Sequence, residues 1–332
     1  MNNIPLLGRA ETELAGEIQA RLLDFCWEQW AQMGVSGAAP RAAAVRAQDP
    51  EALMVLTLEI ARAEPRLFDE MLDWVALNER LLSLRRLRGM CVDMEDSQLV
   101  SAAARWLGWE RPRDDPPAEL RNLFALGGPV PEQDPSFASA GLLRPLLERS
   151  GRSITPDLAM PINLSLRLRA ILGVGIRAEV LRIMLTAQTG LLPAASLART
   201  STYAKRNVHD ALGWLAEASV IDAALIGGEF RYTIDPSRWA PLLDLTVEEL
   251  PSHVEWGTIF GVLRIVLRWA RRPETAQASD YIVSSQARQL LEEIAPHLAY
   301  AGLPVQKPRL AEGALDALAV SVRRALDACT SG

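Results

Sequence analysis

Lysine is almost missing from this chain of 332 residues: Lys205 and Lys307 are the only two among 35 basic residues. The arginine bias runs through the whole chain and points to genomic base composition rather than to function. It also leaves no lysine to serve a phosphate loop of the G-x-x-x-x-G-K-[ST] type, which the chain lacks altogether. Cysteine is scarce too. Cys26, Cys91 and Cys329 are odd in number, far apart and without a nearby histidine, which argues against a disulfide framework or a zinc knuckle. The three histidines, His209, His253 and His297, show neither metal-ligand spacing nor a nucleophile–base arrangement. Long apolar runs are lacking as well. "WGTIFGVLRIVLRWARR" is interrupted by Arg264 and Arg268 and is too short to span a bilayer. "MNNIPLLGRAETELAGEIQ" has no basic segment leading into an apolar run, so no signal peptide and a cytoplasmic location are expected.

A surplus of positive charge is the last thing lacking. Acids number 41, the net charge is −6 and the pI is near 5.3, which disfavours indiscriminate coating of nucleic acid. A local basic patch is still compatible with that total, so charge has to be read by region.

What is there is ordinary globular material, 49% hydrophobic and 23% charged, which excludes global disorder. The length calls for two or three domains. Residues 1–125 read as a helical N-terminal domain, with Leu53, Leu56, Leu58 and Ile60, then Leu67, Met71, Trp74 and Leu77, at three- and four-residue steps. Pro50 and Pro65 suit first helical turns, Asp49 suits a cap, and Asp96 is the expected cap of "SQLVSAAARWLGW". Residues 126–162 are rich in proline and glycine and read as a linker. Residues 163–240 form the next unit, and residues 241–332 a helical C-terminal region. The fold class expected is therefore mainly α, with one small β-hairpin over 219–235 around Gly227-Gly228.

The informative stretch is "LPAASLARTSTYAKRNVHDAL", residues 192–212. A DNA-binding helix-turn-helix needs two helices held by small and branched apolar residues, with polar side chains projecting from the second. Leu197 and Ala198 supply the inner face of the first helix. Thr200 to Thr202 is the expected turn, with Ser201 or Thr202 as a cap. Val208, Leu212 and Leu215 supply the inner face of the second helix. That leaves Tyr203, Lys205, Arg206 and His209 at its exposed N-terminal end. Residues 163–239 hold eight arginines and one lysine against six acids, and no acid lies between Glu179 and Asp210.

With its neighbours, "AASLARTSTYAKRNVHDALGWLAEASVI" resembles the winged helix-turn-helix superfamily of bacterial transcriptional regulators. "RAEVLRIML" resembles its preceding helix and "IGGEFRYTI" its wing. The resemblance covers the central region only, and it rests on spaced apolar positions; Ala218-Ser219 stands where a glycine often ends the recognition helix. It implies sequence-specific binding of double-stranded DNA through Thr202, Tyr203, Lys205, Arg206 and His209, with Arg231 on the wing. It also implies a homodimer, with Leu263, Val266, Leu267 and Trp269 as surplus apolar surface, and helical flanks available to a protein partner. No enzyme activity, cofactor, metal or membrane contact is expected.

Two other classes compete. One is a non-enzymatic interaction protein, such as an antitoxin or a defence-system subunit, that uses the winged helix as a scaffold. The other is a dinucleotide-binding enzyme. For it, Gly173, Gly175 and Ala178 of "LGVGIRAEV" match G-x-G-x-x-[GA], and the preceding "LSLRLR" alternates like a strand. No carboxylate follows in "ASLART", so a turn between helices is the simpler reading. Asp93, Glu95 and Asp96 of "CVDMEDS" read as helix-cap residues rather than a calcium loop. Trp74, Trp214 and Trp269 read as core. The arginines at 264, 268, 271 and 272 read as a solvated face or as partners of acids, with a second phosphate-contacting surface as the sharper alternative.

Overall fold

Acids and prolines start the first helices where the sequence puts them. The computed structural model describes residues 10–37, 46–113, 117, 119–124, 130, 132–187, 190–305 and 313–330. After α1 (Ala10–Gln32), α2 (Pro50–Ile60) opens with proline in its first turn. The Asp49 carboxylate accepts the Ala52 N–H at 3.2 Å. α3 (Pro65–Leu77) also opens with proline, though its Glu64 side chain makes no cap bond, and is followed by α4 (Leu84–Gly89) and α5 (Met94–Trp106). The cap of α5 is Asp93, not Asp96: Asp93 accepts the Asp96 N–H at 2.9 Å, and Asp96 turns back to accept the Val92 N–H. Leu53, Leu56, Leu58, Ile60, Leu67, Met71 and Trp74 are all buried, whereas Leu77, at the end of α3, is exposed.

The described residues fall into two compact units. One runs from Trp27 to Gly257; the other joins the described residues up to Cys26 with those from Thr258 onward, and α1 has residues in each. In the larger unit, Trp30 and Trp74 pack with ring centroids 5.2 Å apart. The described part of the stretch over 126–162 lies inside this unit. It contains α6 (Pro135–Ala138), and β1 (Arg121–Asn122) pairs in parallel with β2 (Leu142–Leu143). Buried Arg144 bonds Asp69 at 2.8 Å and lies against the rings of Phe68, Phe124 and Phe137. Proline interrupts the helices here, but polar and aromatic contacts hold the chain against α3.

Next come α7 (Leu164–Leu172), α8 (Ile176–Thr186), β3 (Leu192–Pro193), α9 (Ala194–Ser201), α10 (Lys205–Glu217), β4 (Asp222–Ile226) and β5 (Glu229–Thr233). Leu168, Leu181, Leu197, Val208, Leu212 and Tyr232 share one core. The strands form an antiparallel sheet in the order β3-β5-β4. Gly227 and Gly228 join β4 to β5 with φ of 60° and 82°, the double positive φ that a type I′ turn demands. "LSLRLR" lies in α7, not in a strand. Gly173 closes that helix at φ 80°, so the glycine pair sits between two helices and lacks the strand a dinucleotide fingerprint needs. α11 (Pro236–Trp239) then leads to α12 (Trp256–Arg271), which has residues in both units.

The smaller unit adds α13 (Pro273–Gln277), α14 (Asp280–Tyr300) and α15 (Ala314–Thr330). Leu263, Val266, Leu267 and Trp269 of α12 are buried within the chain, so the apolar surplus read as a dimer surface is already covered. Arg264 and Arg268 are buried too, so the arginine series is not a continuous solvated face; Arg271, which bonds Gln19, and Arg272 are exposed. Among the described residues, no helix is long and apolar enough to cross a membrane.

Candidate nucleic-acid interface

Helix α9 ends two residues later than the sequence suggests. Ser201 is its last residue and is fully buried, and Thr202 caps its C-terminus in the left-handed region at φ 60°. The chain then turns through Tyr203 and Ala204 into α10. Ala204 is the cap position, where no side chain bonds the first-turn N–H groups, so neither Ser201 nor Thr202 caps this helix. Lys205, Arg206 and His209 project from the first turn and a half and are exposed. Val208, Leu212 and Leu215 face the core as their spacing predicts.

Two expected contact residues lie elsewhere. Tyr203 is buried, not exposed, and its ring carries the Arg85 guanidinium 5.3 Å from the centroid. Thr202 is half-buried, and a Cβ at Gly89 of α4 would lie 3.4 Å from it. Both side chains belong to the seam between the turn and α4, a contact that sequence spacing cannot show. Arg231 is on β5, beside Tyr232, which is buried in the core. Strand alternation therefore turns Arg231 to the other sheet face, away from the helices. The structure thus brings Lys205, Arg206 and His209 together, sets Thr202 and Tyr203 beneath them, and leaves Arg231 apart.

A buried ionic network anchors this turn. Arg86 of α4 bonds Asp49 at 2.6 Å and Glu51 at 2.5 Å, and its Nε donates to the Ser201 carbonyl at 3.1 Å. Arg169 of α7 bonds both Glu51 and Glu179 at 2.6 Å, and Arg182 of α8 bonds Glu179 at 3.2 Å and Asp49 at 3.4 Å. Three arginines thus meet three carboxylates. Burial alone would raise the carboxyl of Glu179, but Arg169, Arg86 and Arg182 outweigh it and hold it down at about 2. Asp49 is also held well below the usual range, by Arg86, Arg182 and Arg169 against its own burial. Asp49 stood out in the sequence only as a cap, and none of the six as a member of an ionic network, because their partners come from α2, α4, α7 and α8. The only local signal was the i, i+3 pair of Glu179 and Arg182.

His253 has a second tie that sequence reading missed. Its Nδ1 lies 3.3 Å from the Thr186 hydroxyl and its Nε2 lies 3.1 Å from Glu255, which also accepts from Thr200 at 2.8 Å. A hydroxyl, an imidazole and a carboxylate in series resemble a nucleophilic triad. The Thr186 hydroxyl, however, is buried and donates to the Arg182 carbonyl at 2.8 Å, which makes the series a brace between α8 and α9. Asp93, Glu95 and Asp96 are similarly committed, as a cap, as a partner of Arg62 at 2.7 Å and as the Val92 acceptor. Trp214 was expected in the core but is 64% exposed, as are Leu225 and Phe230 to 65% and 49% on facing strands. No protein-family model, curated protein or solved structure matches this chain.

Proposed function

We propose that residues 163–240 form a winged helix-turn-helix that binds duplex DNA sequence-specifically, and that the protein is a transcriptional regulator. Support for the winged helix comes from the connectivity α8–β3–α9–α10–β4–β5, in which the short β3 pairs with the last strand. Support for DNA comes from one observation above all. Lys205 and Arg206 are exposed at the start of α10, with no ion-pair partner among the described residues, on a helix end whose first N–H groups no side chain caps. That end attracts phosphate through its free N–H groups and its dipole.

In this reading Arg206 makes a two-pronged contact to guanine, worth about 1–3 kcal/mol of discrimination. Lys205 holds a phosphate, and Arg231 reaches the backbone from the sheet. Thr202 and Tyr203 set the angle of α10 rather than touch DNA. Screening beyond roughly 8 Å at physiological salt separates this basic end from distant acids in the chain. An anisotropy titration against a selected operator at several salt concentrations tests it. Lys205→Ala with Arg206→Ala should weaken binding and flatten the salt slope; parental affinity and slope would overturn the assignment.

The exposed Trp214, Leu225 and Phe230 favour a second reading, in which the same unit is a scaffold for a protein partner. The same titration separates the two. A scaffold shows only weak DNA binding that is indifferent to sequence, and the double variant does not change it.

A further inference from the structure

Helix α4 supplies arginines that the helix-turn-helix reading leaves unused, and two of them on adjacent positions have opposite fates. Arg86 is fully buried in the ionic network and holds the Ser201 carbonyl. Arg85 is exposed, and its guanidinium lies over the ring of Tyr203, two residues before Lys205. Consecutive Cα atoms are about 3.8 Å apart, so the Cα of Lys205 lies within roughly 8 Å of that of Tyr203. Arg85 is therefore carried to the start of α10 by a seam fixed at three points: the Arg86 bond to Ser201, the Tyr203 ring, and the approach of Gly89 to Thr202.

The charge around this seam is unbalanced. Arg88, on the same helix, is paired with Glu110 at 2.5 Å, and the three buried arginines of the network are matched by three carboxylates. Among the described residues, Arg85, Lys205 and Arg206 have no ion-pair partner, and all three are exposed. Three cations without partners around one turn attract an anion laid across them, and the attraction weakens as salt is added. A single strand of a duplex offers one negative charge per roughly 3.4 Å of axis, so successive phosphates of one backbone can serve all three.

We propose that Arg85 is a phosphate-binding residue of the DNA interface, so that the interface is built jointly by α4 and α10. This rests on the DNA-binding reading above and adds to it an element outside the winged unit. Stacking on Tyr203 orients the guanidinium, which lowers the entropy lost when it engages a phosphate. A phosphate contact carries no sequence information, so Arg85 serves affinity and register rather than discrimination.

The test uses the full-length chain with a selected operator duplex and an unrelated duplex, titrated across a series of salt concentrations. Arg85→Ala should weaken both duplexes by the same factor, several-fold, and make the logarithmic salt slope shallower by about one. Arg85→Lys should keep most of the slope, and Arg88→Ala, the paired neighbour, should leave affinity and slope at parental values. Tm and circular dichroism confirm that each variant is folded. If Arg85→Ala matches the parent while Lys205→Ala with Arg206→Ala does not, α4 is no part of the interface and the winged-helix reading stands. If the double variant also matches the parent, both are overturned.

Discussion

Thr202 and Ser219 hold positive φ at the two ends of α10, 60° before it and 56° after it. An L-residue there meets its own carbonyl, a cost of roughly 1–2 kcal/mol that glycine escapes. At Ser219 the sequence departs from the glycine that often ends a recognition helix, and the backbone takes the glycine-like conformation regardless. Ser219 is exposed. Ser219→Gly should thus relieve strain, offset in part by the looser unfolded chain, for a net gain of about 0.5–1 kcal/mol. Urea unfolding checks it, and unchanged or lower stability would show that Ser219 is not strained. Thr202 is the more telling case because it is β-branched, a type rarely left-handed. Its hydroxyl donates to the Ser201 carbonyl at 2.7 Å, the same oxygen that Arg86 holds, so the strained residue is clamped at the point where α4 meets the turn.

Among elements, the network joining α2, α4, α7 and α8 dominates. Removing one charge from a buried, balanced set leaves another without compensation, typically at a cost of about 3–5 kcal/mol. Glu51 is fully buried and serves both Arg86 and Arg169. Glu51→Gln, which preserves size, should therefore cost about 3–5 kcal/mol of stability in a denaturant titration. Arg88→Ala breaks a partly exposed pair and should cost less than about 1 kcal/mol. Equal costs would show that the network contributes no more than a surface pair. The helices and the hairpin were legible in the sequence because their signals are local. Asp49 precedes Pro50, Val208, Leu212 and Leu215 repeat at helical spacing, and Gly227-Gly228 separates two short apolar runs. The exposed residues Lys205, Arg206 and His209 were legible for the same reason. "LSLRLR" alternates like a strand yet is helical, as a turn between helices at the glycine pair requires: a six-residue alternation also fits a helix, here with Leu164, Leu166, Leu168 and Arg169 buried. Tyr203 and Trp214 exchanged places relative to expectation. Whether an aromatic residue is covered depends on what folds against it, here α4, and no spacing rule encodes that. Most of the network was out of reach, since Asp49 and Glu51 find their arginines more than thirty residues away and only Glu179 has one nearby.

At the scale of the whole chain, a net charge of −6 says little about acid stability, because the decisive carboxylates are buried. Glu179 is held at about 2, against an ordinary 4.5, and Asp49 is held lower still, against an ordinary 3.8. The folded chain therefore keeps both ionised at pH values where the unfolded chain would protonate them. Their contribution to stability is whole above about pH 4.5 and is lost progressively as the pH falls toward 2. Chemical denaturation at a series of pH values should thus show stability falling steeply from just below pH 4.5. Because Asp49 precedes α2 and Glu179 lies in α8, the loss should reach both helices together. Hydrogen exchange in α2 and in α8 should accelerate over the same pH interval, and the turn before α10, held through Arg86, should go with them. In Glu51→Gln the network is already unbalanced toward positive charge, so the carboxylates that remain face a greater excess of arginine and the decline should move to lower pH. Protection that is lost in α8 while α2 keeps its own would show that the two helices unfold independently. In that case the carboxylates stabilise each element separately rather than join the N-terminal helices to the face carrying Lys205 and Arg206.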